Sequence, residues 1–162
     1  MPVESITRFI GGYSYKSYCI FFHGALHTIV DSTEGVFIMS FDINDETFGK
    51  IMLPQNYDVE FLTMFQQLEV FKGFLAFFVF SFNPNGYNGT KCNIWVMKEY
   101  GVPQSWTKLF VIPFDTVTYF LGCSENGLLL VQKSSDVVSA NGESEWTEHK
   151  FVSIGLNRGI LC

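Results

Sequence analysis

Positive charge is scarce in this chain of 162 residues. It contains only 10 Lys and Arg, scattered singly, against 16 Asp and Glu, and its formal net charge is -6 at pH 7. An acidic chain without a local basic patch repels phosphate backbones. The composition therefore predicts no nucleic-acid partner.

Cysteine is also sparse, and its spacing excludes the common zinc modules. None of the four cysteines lies two or three positions from another, so the CxxC pairs of such modules are missing. We expect no metal and no cofactor. The thiols Cys19, Cys92, Cys123 and Cys162 are expected to be buried or incidental in a reducing compartment.

Targeting and membrane segments are missing as well. The first twelve residues lack the charged-then-apolar layout of a signal peptide. The most apolar run, Phe74 to Phe82, is far shorter than the ~20 residues of a membrane helix. We predict a cytoplasmic or nuclear protein without a membrane partner, in which this run is a strand buried on both faces.

Apolar and aromatic residues are what the chain has in abundance. Hydrophobic residues make up 48% and aromatic residues 17%, including 18 Phe, which argues for a packed core and against disorder. Aromatic side chains pack well on pleated strands. Helical periodicity is almost wholly missing, so the chain is predicted to be all-β.

Three X-Gly pairs lie between apolar runs and predict hairpin turns. Glycine supplies the positive φ that two-residue hairpin turns need. The pairs are His23-Gly24, Lys72-Gly73 and Asn126-Gly127, and Asn-Gly is the strongest of these signals.

The turns recur about every 50 residues, the period of kelch-type propeller blades. We predict a partial β-propeller of about three kelch-like, four-stranded antiparallel blades, in one incomplete domain over residues 1–162. Strands in such blades are apolar on both faces because each blade packs between two neighbours. The third blade spans roughly 118–162 and is the poorest, since the chain turns polar from Lys133 to Glu145 and only Trp146 to Ile154 offers one or two further strands.

Residue types that carry catalysis do not form a recognisable constellation. No nucleophile elbow and no phosphate-binding loop appears, so we predict that the chain is not an enzyme. His23 and His27 are interpreted as a turn residue and a half-buried strand residue, and His149 completes the histidines.

Two other groups of residues receive structural interpretations. Asp42, Asp45 and Glu46 lack the alternating spacing of a calcium loop and predict a solvated turn. Trp95 and Trp106 are expected to pack within one blade.

Three segments resemble plant F-box-associated domains, near the group of the self-incompatibility locus. They are Ile94 to Leu109, with the strings WVMKEYG and SWTK; Phe41 to Phe48, running on to Leu53-Pro54; and Gly24 to His27. Thr28 stands where the family pattern continues with Trp. The resemblance covers roughly Tyr18 to Val131.

This resemblance implies a substrate-recognition module of an SCF-type E3 ubiquitin ligase, which promotes ubiquitination and degradation of a captured protein. In such proteins an F-box binds the Skp1 adaptor. No F-box precedes Tyr18, so the chain alone is not expected to bind Skp1. An F-box-less interaction protein, or a truncated gene product that binds targets without ligase coupling, is the alternative.

Partner contacts are expected in loops, since propellers bind partners with the loops at one end. The candidate segments are 55–60, 83–91, 98–104 and 133–146, the last a long polar loop. The candidate residues are Gln55, Asn56, Tyr57, Asn85, Tyr87, Asn88, Glu99, Tyr100, Gln104, Asp136, Glu143 and Glu145.

Overall fold

A computed structural model describes residues 19–33, 35–55, 57, 63–82, 90–115, 117–138 and 144–156. In these ranges the chain is built from β-strands and one 3-10 turn, Pro103–Ser105, and no helix in them is long and apolar enough to cross a membrane. The strands are β1 (Ile20–Phe22), β2 (Ala25–Ser32), β3 (Gly35–Asp42), β4 (Thr47–Met52), β5 (Thr63–Phe71), β6 (Phe74–Phe82), β7 (Thr90–Met97), β8 (Trp106–Phe114), β9 (Val117–Cys123), β10 (Leu128–Val138) and β11 (Ser144–Gly155).

The strands form three antiparallel sheets in chain order. The first sheet has the order β1-β2-β3-β4, the second β5-β6-β7-β8 and the third β9-β10-β11. Each sheet is a meander of neighbouring hairpins, as the recurring turns predicted. The predicted all-β, partial propeller is confirmed, with four, four and three strands in the described sheets.

The first strands of the three sheets lie side by side. Strand β5 contacts both β1 and β9, so the sheets radiate from a common inner edge as the blades of a propeller do. The second sheet is therefore packed between the first and the third.

Strand β6 in the middle of the second sheet is buried on both faces, as predicted. Leu75, Phe77 and Val79 pack in a core with the first sheet. The alternate residues Ala76, Phe78 and Phe80 pack in a second core with the third sheet. Because side chains alternate across a strand, a strand between two sheets is apolar on both faces.

Two of the three predicted hairpin turns have the expected geometry. His23 and Gly24 have φ values of 49° and 77°, and Lys72 and Gly73 have 50° and 79°. Positive φ at both positions matches the right-handed twist of the flanking strands.

The third turn is longer than the Asn-Gly pair predicted. Residues 124–127 form a four-residue loop in which the Ser124 hydroxyl accepts a hydrogen bond from the Leu128 amide at 3.1 Å. Gly127 has a φ of 80°, whereas Asn126 does not have positive φ. The hairpin is present, but four residues rather than two separate its strands, which corrects the two-residue prediction.

The polar segment from Lys133 to Trp146 is mostly strand rather than loop, which corrects that prediction. Strand β10 continues to Val138 and pairs with β11 from Ser144 onward. Trp146 to Ile154 lies in this one strand. Polar residues are compatible with a strand pair because backbone hydrogen bonds form its ladder whatever the side chains are.

Candidate partner-binding surface

The connections between strands fall at two ends of the stack of sheets. The hairpin end carries the turns 23–24, 43–46, 72–73, 98–105 and 124–127, and the opposite end carries the connections that leave β2, β4, β6, β8 and β10. This division follows from antiparallel pairing, in which successive connections alternate between ends.

Three of the four predicted contact segments belong to the opposite end. Residues 55–60 fall in sequence between β4 and β5, residues 83–89 between β6 and β7, and residues 139–143 between β10 and β11, and the strand ends that flank them lie at this end. Gln55 is exposed, and Tyr57 is half-buried with its ring edge-on to Phe77 at 5.2 Å. Asn56, Asn85, Tyr87, Asn88 and Glu143 lie outside the described residues, and Asp136 and Glu145 lie in strands β10 and β11.

The fourth segment, 98–104, belongs to the hairpin end and is internally braced. The Ser105 hydroxyl accepts a hydrogen bond from the Glu99 amide at 3.0 Å and lies 2.8 Å from the Val102 carbonyl oxygen. Glu99 and Gln104 are exposed beside this brace. A loop held in one conformation presents its side chains to a partner at low entropic cost.

Tyr100 from the same segment contacts the first sheet. Its hydroxyl lies 2.7 Å from Nε2 of His27, and its ring meets Phe22 edge-on at 5.7 Å between centroids. His27 is wholly buried rather than half-buried as predicted. Burial lowers the pKa of His27, and backbone groups of Ile20 and Ala25 oppose that shift. Two of the segments that carry the family resemblance therefore contact each other between blades.

Trp106 makes a second polar contact between the first two sheets. Its indole Nε1 donates to the Met52 carbonyl at the end of β4, at 2.9 Å. Trp95 lies with its ring 4.8 Å from the Lys108 ammonium on the neighbouring strand and also packs against the core that the first two sheets share. Both tryptophans therefore contribute to the interface between blades, which corrects the expectation that they pack within one blade. Trp106 joins two blades because it lies on the face of the second sheet that meets the first.

The carboxylate of Asp42 organises the predicted solvated turn. It accepts hydrogen bonds from the amides of Asn44 at 2.8 Å and Asp45 at 3.0 Å. This is the local turn chemistry of aspartate. Among the described residues no group of three or more His, Cys, Asp or Glu is placed to hold a metal ion.

Polar contacts also join the second and third sheets. Lys72 Nζ lies 3.4 Å from the Leu156 carbonyl oxygen. The Thr118 amide donates to the Thr90 hydroxyl at 3.0 Å. Each internal interface therefore combines an apolar core with hydrogen bonds at its ends.

A groove of about 290 Å³ lies where the first strands converge. Glu69 on β5 is its half-buried carboxylate and accepts a hydrogen bond from Gln67 Nε2 at 2.7 Å. Burial raises the pKa of Glu69, and the hydrogen bonds from Gln67 and Cys123 partly offset the shift. Burial and the nearby Glu69 raise the pKa of Cys123 to about 12, so this thiol stays protonated at neutral pH.

Glu69→Gln is expected to raise the free energy of unfolding relative to wild type as the pH increases above 4.5, the ordinary pKa of this carboxyl. Below that value the carboxyl is protonated in both states. Above pH 4.5 the Glu69 carboxyl ionises in the unfolded chain before it ionises in the folded chain. The free energy of unfolding of wild type therefore falls with rising pH until the pH passes the higher pKa of Glu69 in the folded chain. Urea unfolding of both proteins over a pH series measures the difference.

The exposed Glu99→Gln provides the matched control, since it removes one negative charge at the hairpin end. A stability difference between Glu69→Gln and wild type that stays constant with pH would contradict the raised pKa.

Comparison with known families identifies the family of this chain. The sequence model of the F-box associated beta propeller domain matches residues 6–160. The chain belongs to the F-box-associated β-propeller family. Comparison with curated proteins and comparison with solved structures each gave no match.

Membership in this family makes the chain a protein-interaction domain of the type that recognises substrates in F-box proteins. The three segments that resembled the family lie within the match. His27 and Glu69 are the positions that sequence reasoning undervalued. The signal for His27 was its place in the Gly24 to His27 segment, but its partner Tyr100 is 73 positions away in sequence. Glu69 carried no signal, because its burial depends on β1 and β9 lying beside β5.

Proposed function

We propose that this F-box-associated domain captures a protein substrate for an SCF-type E3 ubiquitin ligase, so that the substrate is ubiquitinated and degraded. The family match over residues 6–160 is the observation that carries the proposal. The stacked sheets support it, since two packed cores join them into a scaffold that carries loops at either end. A protein is the kind of target that a family of protein-interaction domains binds.

We further propose that the substrate is bound at the opposite end of the stack. Three of the four candidate segments belong to this end, where the connections between β4 and β5 and between β6 and β7 are longest. Long connections on a rigid scaffold are frequent binding elements. Gln55 is the described, exposed candidate there.

A cytoplasmic or nuclear location is part of the same proposal. Cys19, Cys92 and Cys123 are free thiols, and reducing compartments keep thiols in that form.

The half-life of captured proteins tests the proposal. Proteins that cross-link to the chain should be lost faster when the chain is expressed joined to an F-box than when it is expressed alone, and proteasome inhibition should restore them. A variant with Gln55 changed to Glu and Tyr57 to Ala should bind and destabilise them less, whereas Glu99→Gln at the hairpin end should leave them unaffected.

Unchanged or longer half-lives of the bound proteins would contradict ligase coupling and favour the uncoupled interaction protein, which competes for the same targets. A pull-down with purified Skp1 adds a second measurement. We expect residues 1–162 alone not to bind Skp1, because the adaptor is bound by the F-box.

A further inference from the structure

The two internal interfaces of the stack are built from equivalent faces. When the sheets are aligned on their hairpin turns, the second residue after each turn glycine is leucine. Leu75 is buried against the first sheet and Leu129 against the second, while the equivalent Leu26 of the first sheet is 38% exposed. We call the face that carries these leucines the front face.

The next residue along each strand lies on the reverse, or back, face. His27 is buried against the second sheet through Tyr100, and Ala76 is buried against the third sheet. The equivalent Leu130 of the third sheet is 46% exposed. Each internal interface is therefore a back face packed on the front face of the following sheet.

Two faces are left outside the stack, and one is a front face while the other is a back face. The front face of the first sheet exposes Phe21 and Phe48, at 61% and 68%. The back face of the third sheet exposes Tyr119 and Phe151, at 45% and 70%. Register places Phe21 beside Leu26, and Tyr119 and Phe151 on either side of Gln132, so these rings share the faces of Leu26 and Leu130.

We propose that a second copy of this chain covers these faces, with the back face of the third sheet of each copy packed on the front face of the first sheet of the other. The contact continues the back-to-front interface already present twice in the chain. Two such contacts join six sheets, a number within the range of closed propellers. Used twice around a twofold axis, a head-to-tail contact of this kind closes into a ring.

Phe48 and Phe151 are the two most exposed rings on these faces and are suitable test positions, since the fold of the monomer does not depend on exposed side chains. Phe48→Lys and Phe151→Lys each alter one face. Lysine lowers the net negative charge of the chain, so a loss of association cannot be ascribed to added repulsion between acidic copies. Phe82→Lys at the end of β6 is the control, because Phe82 is 46% exposed in the central sheet.

Sedimentation velocity over a concentration series is the measurement. We expect wild type and Phe82→Lys to form dimers, and each of the other two variants to require at least tenfold higher concentration to do so. An equal mixture of Phe48→Lys and Phe151→Lys should dimerise better than either alone, because each mixed pair retains one unaltered back-to-front contact.

Circular dichroism and cooperative unfolding of each variant establish that the fold is kept. Wild type that stays monomeric throughout the series would overturn the proposal. If Phe48→Lys lost association while Phe151→Lys kept it, the proposal would also be overturned, since that outcome indicates a front-to-front contact. Open-ended polymers in place of dimers would exclude the closed ring.

Discussion

Phe78→Ala is expected to lower the free energy of unfolding by about 3–5 kcal/mol, the range for truncating a buried phenylalanine. Phe78 is wholly buried. Its ring stacks on Phe120 of the third sheet at 4.8 Å between centroids and meets Phe71 edge-on at 6.0 Å. The alanine leaves a cavity between two sheets whose backbones are held by their own ladders, so collapse recovers little of the loss. Chemical denaturation followed by circular dichroism measures it.

The neighbouring Phe77→Ala should cost about as much, within the same range of about 3–5 kcal/mol, although its ring points the opposite way. Phe77 packs in the core that the second sheet shares with the first, and its ring centroid lies 6.4 Å from that of Trp106 and 5.2 Å from that of Tyr57. Phe82→Ala is the matched control on the same strand and should cost far less, because that ring is half exposed. A small effect at either buried position would contradict burial of β6 on both faces.

Tyr100→Phe is expected to lower the free energy of unfolding by about 1–3 kcal/mol, the cost of leaving a buried polar group unpaired. The substitution removes the hydroxyl that lies 2.7 Å from His27 Nε2 and leaves the ring contacts with Phe22 in place. The imidazole then remains buried without that partner. Urea unfolding at pH 8 keeps His27 neutral, since burial lowers its pKa.

A double-mutant cycle separates this hydrogen bond from simple packing. His27→Leu removes the other partner, and the double variant replaces both with apolar groups, which is often nearly neutral. We therefore expect the double variant to be less destabilised than the sum of the two single variants. Additive effects would show that the His27–Tyr100 contact is not a coupled hydrogen bond.

Strand positions were largely predictable because their signals are local. Phe74 to Phe82 is apolar at every position except Ser81, and this pattern correctly predicted a strand buried on both faces. His23-Gly24 and Lys72-Gly73 predicted two-residue turns from glycine at a position of positive φ. Asn126-Gly127 predicted a two-residue hairpin turn, whereas the loop has four residues and the Ser124 hydroxyl accepts a hydrogen bond from the Leu128 amide.

The candidate surface was less predictable, because which end a loop occupies depends on strand direction. The polar segment from Lys133 was interpreted as a loop on composition alone, whereas pairing with β11 makes most of it strand. Tyr100 was chosen as a contact residue from its loop, and the sequence did not predict that its hydroxyl lies 2.7 Å from His27 Nε2. Such pairings join residues far apart in sequence, and local sequence patterns do not predict them.

The sequence by itself determined the class of fold, the recurrence of the blades and the family, since each depends on residues near one another in the chain. Only the tertiary structure decided that His27 lies against Tyr100, that Trp106 joins two blades, and that burial raises the pKa of Glu69. The physical reason is that hydrogen-bond partners and desolvation are set by neighbours in space. Three sheets stacked from a common inner edge bring those neighbours together.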